Sequence, residues 1–322
     1  MITKVLFIPI IIIQFICYSH QNIGFAQITN SQSASNISKI KVIKIFRQIK
    51  YEDKGYKLFN YKKRLFKEIY YLKNGLKEKE LIYNQDTILF EKITFEYDLK
   101  NNLICKLRTR PKYSKGGQYH KIDYHYNSKN QIIEKFHFRD INYENIVQYL
   151  HYKYTYNDFD SLLRINIVNH NGRTEMKTYY YNSYNRKVLK KEENDKNKEV
   201  EFRKFIYNRN GQLFFEKDSC INKSQYGLIY KYKGDKLIKK ENIAYKHADI
   251  YYRKNEPDTF AVVTYKYENE KIIYKYQNYR NSSTETFYLY NNGLLEKETL
   301  INFNDKGQKI KTENFSYKYE FY

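Results

Sequence analysis

Apolar and polar positions alternate with a period of two along most of the chain after residue 40. In residues 150–156, a leucine and three tyrosines share one parity, while a histidine, a lysine and a threonine share the other. Residues 122–126 and 226–232 repeat this arrangement. A period of two is typical of a β-strand with one protected face and one wet face. The pattern therefore predicts strands, and no stripe with a helical period follows residue 40.

One short phrase recurs along these predicted strands. Each copy has an aromatic residue, any residue, Tyr, then Asn or Asp, and an aliphatic residue a few positions later. Its clearest copies are FEYDLKNNL at 95, YHYNSKNQI at 124, YTYNDFDSL at 154 and FIYNRNGQL at 205. The copies are mostly spaced by roughly 23 to 30 residues, an interval that fits two short strands and their connections.

The residues that follow the tyrosine indicate tight turns. Asn208, Gly211, Asn291 and Gly293 are examples of residue types that tolerate positive φ and bond their own backbone. Each phrase is therefore interpreted as a β-hairpin. The predicted fold is all-β: a long antiparallel meander of roughly twenty strands, two for each repeat, forming a curled or spiral single sheet that is an open half-pipe or shell. Tyrosine suits such a sheet because its ring can be buried while its hydroxyl reaches water or a partner.

The chain divides into three predicted parts. Residues 1–26 resemble a signal peptide, with Lys4, an apolar run too short for a membrane anchor, and small residues before a cleavage point after Ala26. Cys17 raises lipid attachment as an alternative. Residues 27–39 are a flexible polar lead-in, and residues 40–322 are a single hairpin-repeat domain. Export places the protein in the periplasm, at the cell surface or outside the cell.

The composition is basic and aromatic, with a formal net charge of +22, 38 Tyr, 20 Phe and no Trp. This charge suits an acidic glycan, lipopolysaccharide or another polyanion. A/T-rich codon usage explains the same excess of Lys, Asn, Ile and Tyr without a ligand. No specific nucleic acid and no transmembrane helix are predicted.

The chain contains no motif typical of catalysis, cofactor binding or metal binding, so no catalytic residue, cofactor or metal is predicted. The nearest approach to a metal site is a group of histidines and one aspartate on three predicted strands: His120, Asp123, His125, His137 and His151. Their parity separates them, because His120 shares the aromatic face whereas Asp123 and His125 fall on the other. Glu192 and Glu193 lie in a charged run interpreted as a solvated loop. Cys105 and Cys220 are interpreted as buried thiols, with a disulfide as the alternative.

The phrase resembles the tyrosine–aspartate repeats of the Rhs family of bacterial surface and toxin proteins. That unit consists of Tyr, any residue, Tyr, Asp, two residues, Gly and an aliphatic residue. The copy at 95 keeps the aspartate as Asp98, and the copy at 205 keeps the glycine as Gly211. The resemblance implies an exported protein whose repeats form a long sheet wound into a shell or tube.

We therefore expect an exported, non-catalytic structural or binding protein of the cell envelope. Two alternatives are an outer-membrane β-barrel and an enzyme that acts on glycans. A barrel would need an apolar outward face over the bilayer core. An enzyme would need a concave pocket with paired carboxylates or a histidine beside a carboxylate.

Overall fold

A computed structural model describes residues 39–52, 62–110, 119–140, 146–195, 200–220, 225–245, 258–279 and 282–322. These residues form a sheet of 20 strands. In chain order the strands are Ile40–Tyr51 (β1), Arg64–Tyr71 (β2), Lys77–Tyr83 (β3), Leu89–Tyr97 (β4), Leu103–Thr109 (β5), Tyr119–Tyr126 (β6), Ile132–Asp140 (β7), Ile146–Tyr156 (β8), Leu162–Asn169 (β9), Thr174–Tyr181 (β10), Lys187–Asn194 (β11), Val200–Tyr207 (β12), Leu213–Cys220 (β13), Gln225–Lys233 (β14), Lys236–Tyr245 (β15), Asp258–Glu268 (β16), Lys271–Tyr279 (β17), Ser282–Asn291 (β18), Leu294–Asn304 (β19) and Lys309–Phe321 (β20). The predicted all-β class and strand number are therefore confirmed for the described residues.

The strands are antiparallel, and each pairs with the strands before and after it in the chain. The predicted meander is therefore correct. A register shift recurs where the second tyrosine of a phrase pairs with the start of the returning strand. It occurs at Tyr97 opposite Leu103, at Tyr126 opposite Ile132 and at Tyr207 opposite Leu213. Such bulges bend and twist the sheet at a regular interval.

The prediction of an open half-pipe or spiral shell is wrong, because the sheet closes on itself as a barrel. β1 pairs with β2 on one side and with β20 on the other. The ladder between β1 and β20 runs from Ile40 opposite Phe321 to Tyr51 opposite Lys311. The physical reason is the cost of two edges, each of which would expose a row of unpaired backbone groups. The regular bulges supply the curvature that brings the last strand to the first. The closed wall favours the outer-membrane barrel, which was an alternative above, over the open sheet.

The barrel wall has two chemically different faces. The tyrosine face carries the phrase tyrosines and their cross-strand partners, such as Tyr124 opposite Lys135 and Tyr154 opposite Ile165. The lysine face is the opposite one, and most described strands place at least one charged side chain on it, for example Lys92, Lys153, Lys204, Lys231 and Lys318. The predicted separation of tyrosines from lysines thus holds, although some lysines also lie on the tyrosine face.

The tyrosine face is the protected one. Ile43, Ile69, Ile93, Phe205 and Phe315 all lie on it and are buried, whereas the five lysines named above are exposed on the other face. A concave surface crowds its side chains more than a convex one, so the tyrosine face lines the barrel interior. A barrel of this strand number is wide enough to enclose a lumen.

The two ends of the barrel differ. At the tight-turn end, short turns join each even-numbered strand to the next strand, from β2–β3 to β18–β19. At the loop end, tight turns occur at 84–88, 169–173 and 304–308. The described chain begins and ends at the tight-turn end, where the backbone of Tyr322 bonds that of Lys39. The predicted segments 1–26 and 27–39 lie outside the described residues apart from Lys39, and the division of the chain into these parts stays a prediction.

Candidate functional site: the tyrosine face

The second tyrosine of the phrase has a specific task on the tyrosine face. Tyr126 Oη donates to the carbonyl of Leu103, and Tyr156 Oη donates to that of Ile132, both at 2.8 Å. Further bonds of this kind join Tyr181 to Leu162, Tyr207 to Lys187, Tyr267 to Leu237 and Tyr319 to Leu295. In each case the hydroxyl reaches a carbonyl near the start of the preceding strand. We call these contacts the inter-hairpin tyrosine bonds.

These bonds form where the backbone ladder between hairpins has ended. The β5–β6 ladder begins at Cys105 opposite Asp123, so Leu103 lies beyond it. The β7–β8 ladder begins at Glu134 opposite Lys153, which leaves Ile132 in the same position. The tyrosine hydroxyl supplies the donor that the next strand no longer provides. The recurrence of the phrase is therefore explained by a structural need of the closed wall.

The Asn or Asp after that tyrosine builds the turn. Asp98 Oδ1 accepts from the backbone N–H groups of Lys100 and Asn102 at 2.9 and 2.8 Å. Asn127 and Asn157 make the same pair of bonds in their turns. This side-chain mimic of a backbone turn accounts for the preference for Asn or Asp.

The position three residues after the Asn or Asp takes a left-handed conformation. Gly211 occupies it with φ of 79°, and Asn130 and Asp160 occupy it with φ of 61°. Glycine adopts this region without strain, and Asn and Asp tolerate it. The copies that lack the glycine of the repeat thus keep the same turn.

Most charges that the tyrosine face carries are paired with one another. Glu313 on β20 contacts Arg47 and Lys311, and Glu80 on β3 contacts Lys67 and Lys77. Burial by itself would raise the pKa of both carboxyls, but the adjacent cations lower it below its ordinary value. Elsewhere on this face Arg203 Nη2 lies 2.9 Å from Asp218 Oδ2. The buried carboxylates of Glu80 and Glu313 are therefore held ionised by cations.

One sector of the tyrosine face departs from this pairing. Strands β5 to β7 place six basic side chains on it, which we call the basic patch: Lys106, Arg108, His120, Lys135, His137 and Arg139. Arg108, His120 and Arg139 stand directly opposite one another across the three strands. Within the described part of the chain, no ion pair involves the two lysines or the two arginines.

Aromatic rings accompany the basic patch. Lys135 Nζ lies 4.1 Å from the centroid of the Tyr152 ring, and Arg139 Cζ lies 4.9 Å from that of Tyr149. Tyr149 Oη is 2.7 Å from His120 Nε2 and 3.4 Å from His137 Nδ1. Cation–π contacts of this type partly replace the missing counter-ions.

The surroundings of the basic patch disfavour additional positive charge. Burial, together with a smaller effect of nearby cations, lowers the pKa of His120 and of His137 to about 4. Burial also lowers the pKa of Lys106 and of Lys135. The two histidines are therefore neutral near pH 7. An added negative charge would stabilise the cations of the patch.

The histidines and the aspartate named as the nearest approach to a metal site are divided between the two faces. His120 and His137 lie on the tyrosine face, with their ring centroids 5.6 Å apart. Asp123 contacts Lys121 on the lysine face, and His151 Nε2 is 3.3 Å from Glu134 there. Over the residues that the structure describes, no group of three His, Cys, Asp or Glu side chains is placed to hold a metal ion.

Other sequence-level candidates are also located. Glu192 lies on β11 and contacts Lys177 and Lys190, so it belongs to a strand and not to the solvated loop that was predicted. Glu193 is on the same strand and contacts Lys191. Cys105 is a free, buried thiol, and burial raises its pKa to about 11. An open groove of about 310 Å³ lies between the turns at Asp98–Asn102 and Asn127–Asn130.

Sequence reasoning missed the inter-hairpin tyrosine bonds and the basic patch. The first had a signal, namely the fixed spacing of Tyr, turn and aliphatic residue. The basic patch had no signal in the sequence, because its six residues come from three separate strands. Within the described ranges no helix has the length and apolar character needed to cross a membrane.

Two solved structures that align with this chain have low sequence identity to it. A porin-like protein from Bacteroides uniformis ATCC 8492 is 12% identical, with 87% of this chain and 96% of that chain covered and a TM-score of 0.35. The TcdB2-TccC3-Cdc42 structure is 9% identical, with 82% of this chain and 20% of that chain covered and a TM-score of 0.28. No family model and no curated protein matches the chain, so its class rests on the barrel itself.

Proposed function

We propose that this chain is an exported β-barrel of the cell envelope that acts as a binding or structural body and not as an enzyme. The observation that carries the proposal is the ladder between β1 and β20, which turns the repeat sheet into a closed wall. Closure removes both sheet edges, a property suited to a protein that must stay folded outside the cytoplasm. The predicted signal peptide over residues 1–26 supports export.

A non-catalytic role is supported by the state of the interior carboxylates. Glu80 and Glu313 are each held by two cations, which lower the pKa of the carboxyl. A general acid needs a raised pKa, and a general base needs a free lone pair directed at substrate. Ion-paired carboxylates of this kind stabilise the wall instead.

We further propose that the hairpin unit is a degenerate tyrosine–aspartate repeat. Its support is local: Asp98 and its Asn counterparts build the turn, and position +3 takes the glycine conformation. The same chemistry explains the Asp and the Gly of that repeat unit.

Such a barrel could lie in the outer membrane or in an aqueous compartment, and different observations favour each environment. Closure and the row of tight turns at one end favour an outer-membrane barrel. The lysine face favours water, because a Lys or Arg facing lipid at the bilayer midplane costs about 2–4 kcal/mol. Lys92, Lys153, Lys204 and Lys231 all lie within strands on that face. We therefore place the barrel in an aqueous compartment of the envelope and keep the outer-membrane barrel as the second candidate.

Cell fractionation followed by extraction separates these candidates. A barrel standing in water is released from the envelope by osmotic shock or high salt and stays soluble without detergent. An outer-membrane barrel remains with the membrane until detergent is added. Recovery in the cytoplasm, with residues 1–26 still attached, would reject export and with it the proposal.

A further inference from the structure

We propose that the basic patch binds an anionic saccharide, with the anion held by the cations of β5 and β7 and the sugar ring resting on the neighbouring tyrosines. This inference deepens the proposed function and rests on it in one respect, because export determines that the patch meets envelope glycans. Its starting observation is the contrast between this sector and the rest of the tyrosine face.

The carboxylates on strands β5 to β8 lie on the lysine face and do not neutralise the patch. Strands β5 to β8 contain three acidic residues, Asp123, Glu134 and Asp140. Asp123 contacts Lys121, and Glu134 contacts His125, His151 and Lys153 on the lysine face. Asp140 has the same parity, since the preceding Arg139 stands opposite His120 on the tyrosine face. On the adjacent strand β4, Glu91 lies on the tyrosine face, but its carboxylate is paired with Arg110 at 2.8 Å. Among the described residues, the lysines and arginines of the patch thus lack the paired carboxylates that Glu80, Glu192 and Glu313 supply elsewhere.

The arrangement of the cations fits an external anion. Arg108 and Arg139 flank His120 at the same level of the wall, so one arginine stands on either side of a single position. Arginine binds carboxylate or phosphate through two parallel hydrogen bonds. Lys106 stands one level deeper, opposite Ile122, and Lys135 stands two levels deeper, opposite Tyr124. Arg108, His120 and Arg139 are each one residue from the loop end of their strands, and the two lysines lie deeper along the same face.

The groups between the cations are suited to hydroxyls. His120 and His137 stay neutral, so each ring has one donor and one acceptor nitrogen. Nε2 of His137 is buried without a hydrogen-bond partner among the described residues, which is a polar atom that a ligand hydroxyl would satisfy. Tyr149 connects the two histidines and places its own hydroxyl among them.

The aromatic platform favours a saccharide over a nucleic acid. Tyr152 and Tyr154 lie side by side on one strand, with rings 17° from parallel and centroids 6.4 Å apart. The two rings are stacked on each other, so they leave no gap in which a base could be sandwiched between two aromatic faces. A single-stranded nucleic acid is therefore the competing ligand that the test must reject.

The test is calorimetric titration of the purified protein with tetragalacturonate, mannose 6-phosphate, uncharged maltotetraose and an oligothymidylate. Binding of tetragalacturonate assigns a carboxylate ligand, and binding of mannose 6-phosphate assigns a phosphate ligand. Either supports the proposal when maltotetraose does not bind and when higher salt weakens the interaction. Equal binding of maltotetraose, a preference for oligothymidylate or no binding at all would overturn it.

A matched pair of double variants locates the ligand. Arg108→Gln with Lys135→Gln should weaken binding at least about tenfold, because two charge-assisted contacts are lost. Arg164→Gln with Lys92→Gln removes the same charge from the lysine face and should change the affinity less than about twofold. Equal weakening in the two variants would mean that net charge alone attracts the ligand and would reject the patch.

A second measurement uses the unaltered protein. On titration with the bound saccharide, the imidazole NMR signals of His120 and His137 should shift, while those of His125, which contacts Glu134 on the lysine face, should not. Shifts confined to His125 would contradict the assignment. Failure here is distinguishable from failure of the proposed function, because the titrations use purified protein whereas fractionation uses whole cells.

Discussion

Arg47 on the first strand donates a hydrogen bond to Glu313 on the last strand, with Nε 2.8 Å from Oε2. Glu313 is 1% exposed, and Phe66 and Phe315 lie against the guanidinium with ring centroids 5.3 and 5.7 Å from Cζ. The contact joins residues 266 positions apart. It therefore reports directly on barrel closure.

Removing the charge of Glu313 should destabilise the closed barrel. Glu313→Gln leaves Arg47 and Lys311 without an anionic partner, so we expect the free energy of unfolding to fall by roughly 3 kcal/mol. Glu320→Gln is the matched control, because Glu320 contacts Lys44 across the same two strands but is exposed. Urea unfolding followed by circular dichroism measures both. An equally small effect of the two variants would mean that the buried pair does not hold the seam.

Acid should weaken the barrel in two steps. The pKa of His120 and of His137 is lowered from 6.5 to about 4 by burial, so the unfolded chain takes up more protons and stability falls as pH drops from 6.5 towards 4. The lowered pKa of Glu80 and of Glu313 adds a second loss as pH falls below 4.5, the ordinary value. Unfolding free energies at a series of pH values measure both steps.

A histidine double variant tests the first of these steps. His120→Gln with His137→Gln should flatten the dependence of stability on pH between 6.5 and 4, while His170→Gln should leave it in place. If the double variant keeps the full slope, the two interior histidines are not its source.

Loss of one inter-hairpin tyrosine bond should cost measurable stability. Tyr181→Phe removes the donor to the carbonyl of Leu162 and should lower the unfolding free energy by roughly 1 kcal/mol. Tyr180→Phe is the control on the adjacent residue, whose ring is 45% exposed on the lysine face. Thermal unfolding of the two variants compares them. Equal melting temperatures would show that the hydroxyl bond contributes nothing.

Thr87 holds the strained position of its turn and should be improved by glycine. It is a β-branched residue with φ of 62°, three residues after Asn84, whose side chain organises the turn. Thr87→Gly should raise the unfolding free energy by roughly 1 kcal/mol, because glycine adopts this region without steric cost. Asn130→Gly, at the same position of another turn, should change it less. Destabilisation by Thr87→Gly would contradict this account of the turn.

The tyrosines of the phrase face aliphatic or charged residues across the strands, and not other aromatic residues. Tyr154 is opposite Ile165, Tyr179 is opposite Lys190, and Tyr230 is opposite Lys240. Returning strands carry aliphatic and charged residues at that level, so the rings meet methyl groups and ammonium groups. Lys135 over Tyr152 and Lys187 over Phe205, each at 4.1 Å, are examples.

The sequence by itself determined the local structure of this protein. Alternation placed Tyr152, Tyr154 and Tyr156 on one face and Lys153 on the other, because side chains of a strand alternate whatever the sheet does. The phrase located the turns, because Asn208 and Gly211 carry their turn chemistry in their own side chain and backbone. These features depend only on residues within a few positions of one another.

The tertiary structure alone decided closure and the basic patch. An open ribbon and a closed barrel share the same hairpins, and they differ in whether the summed curvature brings Arg47 to Glu313. The patch likewise depends on register, since Arg108, His120 and Arg139 meet only when three ladders align. Both follow from distances between residues far apart in the chain, which no pattern along a single strand encodes.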